Sequence, residues 1–264
     1  MMMNNLLGVY TIWYRDVLRF WQDKTRMLSA ILFPLFFLFI FGSGLRGSIG
    51  MMGGGVDFIQ FMYPGIIGMS VLMGSFMSGV SIVWDREFGF LKEVLVAPIS
   101  RISVALGRTL GAATVATIQG VMILVLAPVV KVSLTVWMVL ALLPLMFLLS
   151  ASMGSLGILL ASRIKSTEAF QAIMQMLMFP MMFLSGVFFP VNDLPAWMSF
   201  IVKINPASYG VATIRAVMMG NPPENPFTIY LFGHAMSIWE NIIIMAVFGF
   251  IMSILAMWSF GRQE

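Results

Sequence analysis

The chain has 264 residues, 60% hydrophobic and 10% charged, with 26 Met, 23 Phe and a net charge of +4, and its mean hydropathy is +0.96. Apolar runs at that density along nearly the whole length leave no room for a soluble catalytic domain and make the chain an integral membrane protein. The absence of Cys and the single His exclude disulfides, thiolate metal sites and a catalytic zinc, and no basic cluster with interleaved stacking residues points to nucleic acid.

Residues 1–27 mix Arg15, Arg19, Lys24 and Arg26 with Trp13, Tyr14, Phe20 and Trp21, which predicts an amphipathic helix in the headgroup layer. A signal peptide fits poorly, because the apolar run that follows is too long and lacks a small-residue cleavage site. Six spans are then predicted. The first is 28–45, containing Pro34 and ending in the Gly-rich "GSGLRGSIGMMGGG"; the second is 58–84. The third, 104–130, and the fourth, 134–161, are separated only by a turn at Lys131, and 169–189 and 238–260 complete the set. The first is a little short, and the last two are each long enough at about 1.5 Å per residue to cross a hydrocarbon core of roughly 30 Å. Between the last two, 190–237 holds two short apolar pieces divided by Asn205 and Pro206, which predict external helices dipping into the outer leaflet. The predicted fold is therefore all-α, one transmembrane domain over 1–264.

Basic residues orient it. With the N-terminus inside, eleven of them lie on the cytoplasmic side, against four outside, Arg46, Lys131, Lys203 and Arg215; the positive-inside rule then puts both termini in the cytoplasm.

The first cytoplasmic loop, 85–101, is the most charged stretch. Asp85, Arg86, Glu87, Lys92, Glu93 and Arg101 all fall within "VWDREFGFLKEVLVAPISR". At about 100° per residue, Phe90, Leu91, Val94 and Leu95 share one arc and most of the charges share the other, so an amphipathic helix is predicted up to Pro98. Glu87 falls inside the apolar arc and needs a partner or the water edge. A solvated turn is the plainer alternative. Against it, neither Glu87 nor Glu93 has a basic residue four positions on, so these charges are not consumed by pairs within the helix.

The chain has no Gly-Lys-Ser/Thr phosphate loop, since Lys24 and Lys165 are preceded by Asp23 and Ile164. Spans two to five carry no ionisable group at mid-depth, with Arg108 near the cytoplasmic end of the third, which disfavours coupling to an ion gradient. Uphill movement would need energy from another polypeptide. A stand-alone channel or gradient-driven carrier, and a structural scaffold, are the other functional classes. An intramembrane serine protease built on Ser70, Ser78 or Ser155 lacks a base, because the lone His234 belongs to the external segment.

Three ordered motifs carry a resemblance. "DREFGFLKEVLVAPISRISVALGR", "FMYPGI" at the start of span two, and "LSGVFFPVNDLPAWMSFIVKINPASYGVATIRAVMMG" resemble the type 2 ABC exporter permeases, which include daunorubicin-resistance permeases. The resemblance implies a half-transporter: two six-span permease subunits, here a homodimer in a prokaryotic plasma membrane, with two ATP-binding cassette subunits on the cytoplasmic side that bind ATP and Mg. It implies that this chain carries no cofactor and no catalytic residue. It makes 85–101 the coupling helix, with Asp85, Arg86, Glu87, Gly89, Lys92, Glu93 and Arg101 as ATPase-coupling residues, and the N-terminal helix a second contact. The family's substrate path runs between subunits along spans one, two and five. On this chain the candidates are Met69, Met73 and Met77 in span two, and Gln171, Gln175, Met178, Met182 and Phe183 in span five. Met and Phe offer a pliable surface for lipophilic or amphipathic cargo, a drug-like molecule or lipid, although each of them could equally face lipid or a neighbouring helix. The glycines of span two, and Gly107 and Gly111 in span three, read as helix-packing positions.

Overall fold

The computed structural model describes residues 2–44, 58–89, 99–192, 194–220, 227–231 and 233–261. Its helices are α1 (Met2–Gln22), α2 (Lys24–Gly44), α3 (Phe58–Glu87), α4 (Arg101–Leu124), α5 (Val136–Arg163), α6 (Thr167–Phe183), α7 (Ala196–Ile204), α8 (Pro206–Met219) and α9 (Ile238–Gly261). A two-stranded antiparallel hairpin, β1 (Tyr230–Leu231) and β2 (His234–Ala235), precedes α9.

Local signals in the sequence account for most of these boundaries. Asp23 accepts the Arg26 backbone N–H at 2.9 Å and so caps α2, starting that helix at Lys24, ahead of the apolar run. Ser100 caps α4 and Ser166 caps α6 in the same way. Asn205 caps α8, with Pro206 at its first position. Ser237 and Glu240 form a reciprocal capping box at the start of α9, and His234 pairs with Glu240 at 3.1 Å.

The bundle is organised around α3, which packs against α2, α4, α5, α6 and α8. From Met62 to Leu72 it is buried on every face, as expected of a helix that is apolar all round. The most apolar window of α3 is 78% buried, against 17% in α2 and 22% in α9. These two therefore form the outer, apolar surface of the bundle. Gly68 and Gly74 let α3 approach Val211 of α8 and Gln119 of α4 closely enough that a side chain would collide.

By length and composition, four of the described helices can cross a membrane: those containing 24–42, 62–87, 136–163 and 238–259. The chain is thus a multi-pass, all-α membrane protein. Two predicted spans are shorter than expected. α4 stops at Leu124, where Tyr63 Oη donates to the Ile123 and Leu124 carbonyls, and the chain turns through a 3-10 helix at Ala127–Val130 and a left-handed Lys131 (φ 57°). α6 has 17 residues and ends at Phe183, about 26 Å at ~1.5 Å per residue. Of the external helices, α8 is buried along most of its length against α3, α5 and α9, whereas α7 buries only Val202. Arg215 of α8 is fully buried. Its guanidinium donates to the carbonyls of Gly186 (3.0 Å) and Val187 (3.3 Å) and lies 3.8 Å from the Phe227 ring centroid, so one cation gathers the chain leaving α6. Burial pushes that guanidinium down to about 9, which leaves it charged at neutral pH.

Candidate functional site at the charged end of the bundle

α1 is amphipathic, and its inner face docks along α4. The seat is the pair Gly107 and Gly111: a methyl group at Gly107 would lie 2.9 Å from the Val9 carbonyl oxygen, and one at Gly111 2.9 Å from Asp16 Cβ. With the groove open, Trp13 Nε1 donates to Thr114 Oγ1 at 2.9 Å. The outer face keeps Leu6, Leu7, Tyr10, Tyr14 and Trp21 exposed, as suits the headgroup layer.

This docking brings two carboxylates and two guanidinium groups together. Arg15 of α1 meets Asp85 of α3 at 2.9 Å and Asp16 at 3.5 Å. Arg108 of α4 pairs with the same Asp85 oxygen, with Asp16 at 3.0 Å and with Ser81 Oγ at 3.2 Å. Asp85 and Arg108 are both buried. Two positive and two negative groups leave the cluster neutral, which is what allows charges to be held away from water.

The next two residues of α3 reach in other directions. Arg86 donates to the Ile164 carbonyl at 2.8 Å and the Ser162 carbonyl at 3.2 Å, at the C-terminal end of α5, where a cation also complements the helix dipole. Glu87 accepts from Thr167 Oγ1 at the start of α6. Three consecutive side chains thus tie the last turn of α3 to α1, α4, α5 and α6.

These positions depart from the predicted amphipathic helix at 85–101. Asp85, Arg86 and Glu87 belong to α3, so the apolar arc does not govern Glu87; it is exposed and finds its partner within the chain. Asp85 and Arg86 point into the bundle, so a direct outward contact is not what their geometry offers. Gly89 follows with φ +79°, a left-handed turn that favours glycine and ends the helix. Lys92 and Glu93 lie outside the described residues. The return is held by α1 again: Asn5 Oδ1 accepts the Ser100 backbone N–H at 2.9 Å, and Ile99 packs against Gly8. Arg101 begins α4 and is exposed. Both edges of the loop are therefore anchored to α1.

The path candidates divide. Met69 and Met182 are core residues, packed among α3, α6 and their neighbours, and are buried among the described residues. Met73 and Met77 border a cleft of about 620 Å³ between α2 and α3, together with Arg19, Arg26, Trp84 and Gln119. Gln171 and Gln175 lie on the exposed side of α6, Met178 is half-buried, and Phe183 is exposed. Phe183 and Phe37 of α2 both contact Phe188, at ring-centroid distances of 4.9 and 4.8 Å, which joins the first and fifth predicted spans through aromatic rings. Asn5, Asp16 and Gln119 were not singled out from sequence, and Arg108 only as a charge near the cytoplasmic end of its span. The available signal was weak: an acid among the bases of an interfacial helix, and polar residues on a small-residue helix.

Comparison with known proteins agrees with this architecture. The ABC-2 type transporter family matches residues 8–219. A ycf38 transport permease of Cyanophora paradoxa is 28% identical over 228 residues, covering 84% of this chain and 78% of its own. Nodulation protein J of Rhizobium meliloti (strain 1021) is 29% identical over 216 residues, covering 80% and 81%. Inner membrane transport permease YadH of Escherichia coli (strain K12) is 26% identical over 219 residues, covering 81% and 84%. With a match spanning α1 through α8, the chain belongs to the ABC-2 type transporter family and is a permease subunit rather than an enzyme.

Proposed function

We propose that this chain is the membrane-spanning half of an ATP-driven exporter that moves a lipophilic or amphipathic molecule out of the cytoplasm or inner leaflet by alternating access. In this reading two copies form a homodimer in a prokaryotic plasma membrane, each with six spans and both termini cytoplasmic. Two ATP-binding cassette subunits, which bind ATP and Mg, sit beneath the loop between α3 and α4. Lys92 and Glu93 face the ATPase, Glu87, Gly89 and Arg101 frame the loop, and Asp85 and Arg86 transmit its displacement inward.

The observation that carries this reading is the fan of Asp85, Arg86 and Glu87 at the base of the loop. A push there is delivered to four helices through ion pairs and hydrogen bonds rather than dissipated in a free turn. The exposed amides of Gln171 and Gln175, on a helix that is apolar beyond its first turn, support a second subunit or wet path on that side. The test is co-expression with a candidate ATPase and purification through a tag on the permease. The wild-type complex should co-purify, and Lys92→Glu with Glu93→Lys should lose ATPase association while still inserting. Normal co-purification and normal cargo-stimulated hydrolysis in that double variant would refute the coupling role of the loop. Failure of the wild type to associate with any ATPase would refute the exporter reading.

A further inference from the structure

The cleft between α2 and α3 opens at the charged end of the bundle. Its volume, about 620 Å³, falls within the range of roughly 300–1,000 Å³ typical of small-molecule sites. Its walls are mainly apolar: Phe33 and Pro34 on α2, and Met73, Met77, Val80 and Trp84 on α3. Gln119 and Ser70 supply polar groups at its back. At its mouth stand Arg19, from the last turn of α1, and Arg26, from the first turn of α2.

Neither arginine forms an ion pair with an acidic side chain among the described residues. Two carboxylates lie nearby: Asp23 accepts the Arg26 backbone N–H at 2.9 Å and serves as the cap of α2, and Asp16 is held by Arg15 and Arg108. Among the residues lining the cleft, Arg19, Arg26 and Asp23 sum to one net positive charge, and the N-terminus of a 21-residue helix adds its partial positive charge. Arginines near helix ends ordinarily snorkel to the interface. Here the break at Asp23 brings two of them to the rim of one apolar cleft, an arrangement suited to a basic headgroup pocket between membrane helices.

We infer that this cleft binds an anionic amphiphile, with its phosphate held by Arg19 and Arg26 and its hydrocarbon chain lying between Phe33, Met73, Met77 and Trp84. Planar guanidinium groups match phosphate oxygens with paired hydrogen bonds, and the thioethers and rings adapt to a flexible chain. Arg19 and Arg26 set the preference for an anion; Met73 and Met77 enter as path residues, and Gln119 joins them. As cargo, such an amphiphile narrows the exporter reading and depends on it; as a bound ligand it does not.

The full chain is placed in phosphatidylcholine nanodiscs and labelled with a photoreactive hexadecyl phosphate. Labelling is expected on the cleft-facing residues of α2 and α3, competed by unlabelled hexadecyl phosphate and much less by hexadecanol or inorganic phosphate. Arg19→Gln with Arg26→Gln should weaken that competition by about tenfold or more, the loss expected for charge-assisted hydrogen bonds. Met77→Trp, which fills the cleft and leaves both arginines in place, should also reduce labelling, and covers the case in which the double variant does not insert. Labelling unaffected by either variant overturns the site. Equal competition by hexadecanol would mean a plain apolar groove, and equal competition by inorganic phosphate a headgroup site without a chain; either overturns the inference. A complex that co-purifies and hydrolyses ATP without being labelled refutes this site alone, whereas labelling of a chain that recruits no ATPase refutes the exporter reading alone.

Discussion

Replacing Asp85 with Asn tests whether the four-charge cluster holds α1 and α3 together. The substitution keeps the shape and removes one negative charge, leaving two guanidinium groups against Asp16. Arg108 retains Asp16 at 3.0 Å and Ser81 at 3.2 Å, and Arg15, with 31% of its side chain exposed, can turn to water. The cost should therefore fall at the low end of the range for breaking a buried pair, about 3 kcal/mol out of about 3–5 kcal/mol. Equilibrium unfolding in mixed micelles measures it, and backbone hydrogen exchange in α1 reports whether the helix undocks. Asp85→Asn combined with Arg108→Gln restores neutrality, so the double variant should be more stable than the two single losses predict, by about 1–3 kcal/mol. A single variant within about 0.5 kcal/mol of wild type, the usual range for an unimportant surface position, would refute the reasoning. So would strictly additive losses with unchanged exchange in α1.

Gly107→Val should also undock α1, because its first side-chain carbon would meet the Val9 carbonyl at 2.9 Å; a loss of about 1–3 kcal/mol is expected for overpacking, with faster exchange confined to α1 and the edge of α4. The chain has no cysteine, so Gly8→Cys with Ile99→Cys gives a clean cross-link. A side-chain carbon at Gly8 lies 3.3 Å from Ile99 Cβ, close to the roughly 3.5–4.5 Å of a disulfide, and mild oxidation should join the return of the loop to α1. Absence of the cross-link where each single variant reacts with maleimide would contradict the docking. Arg215→Met preserves bulk but leaves the Gly186 and Val187 carbonyls without their shared donor; unfolding should show a loss of about 1–3 kcal/mol. Arg215→Lys should lose less than Arg215→Met but still fall short of wild type, because lysine lacks the planar fork and the face that lies over Phe227.

The capping signals that set the helix starts are legible in the order of residues alone: Asp23 three residues ahead of Arg26, Ser100 ahead of Ser103, and Ser237 ahead of Glu240. They act within one turn of chain, so sequence order is spatial order. The end of α4 is not legible that way. Val104 to Val130 is apolar enough to continue, but the hydroxyl of Tyr63 sits on the Ile123 and Leu124 carbonyls, and that contact comes from another helix 60 residues away in sequence. Glu87 is expected to find a partner or the water edge, and it has both, but that its partner is Thr167 is not legible either, because α3 runs on through Glu87 and delivers its last three side chains to three different sides.

By itself the sequence determined the class: a multi-pass helical membrane protein without its own nucleotide-binding loop, bearing a charged loop between its second and third predicted spans. Those properties depend on composition, local periodicity and the spacing of short motifs, which every conformation of the chain shares. Only the tertiary structure decided that Asp85 belongs with Arg15, Asp16 and Arg108, and that Arg19 and Arg26 meet at the mouth of one cleft. Such pairings depend on which faces of α1, α2, α3 and α4 touch. Those faces are selected by packing at Gly74, Gly107 and Gly111 and by the neutralisation of buried charge across helices far apart in the chain.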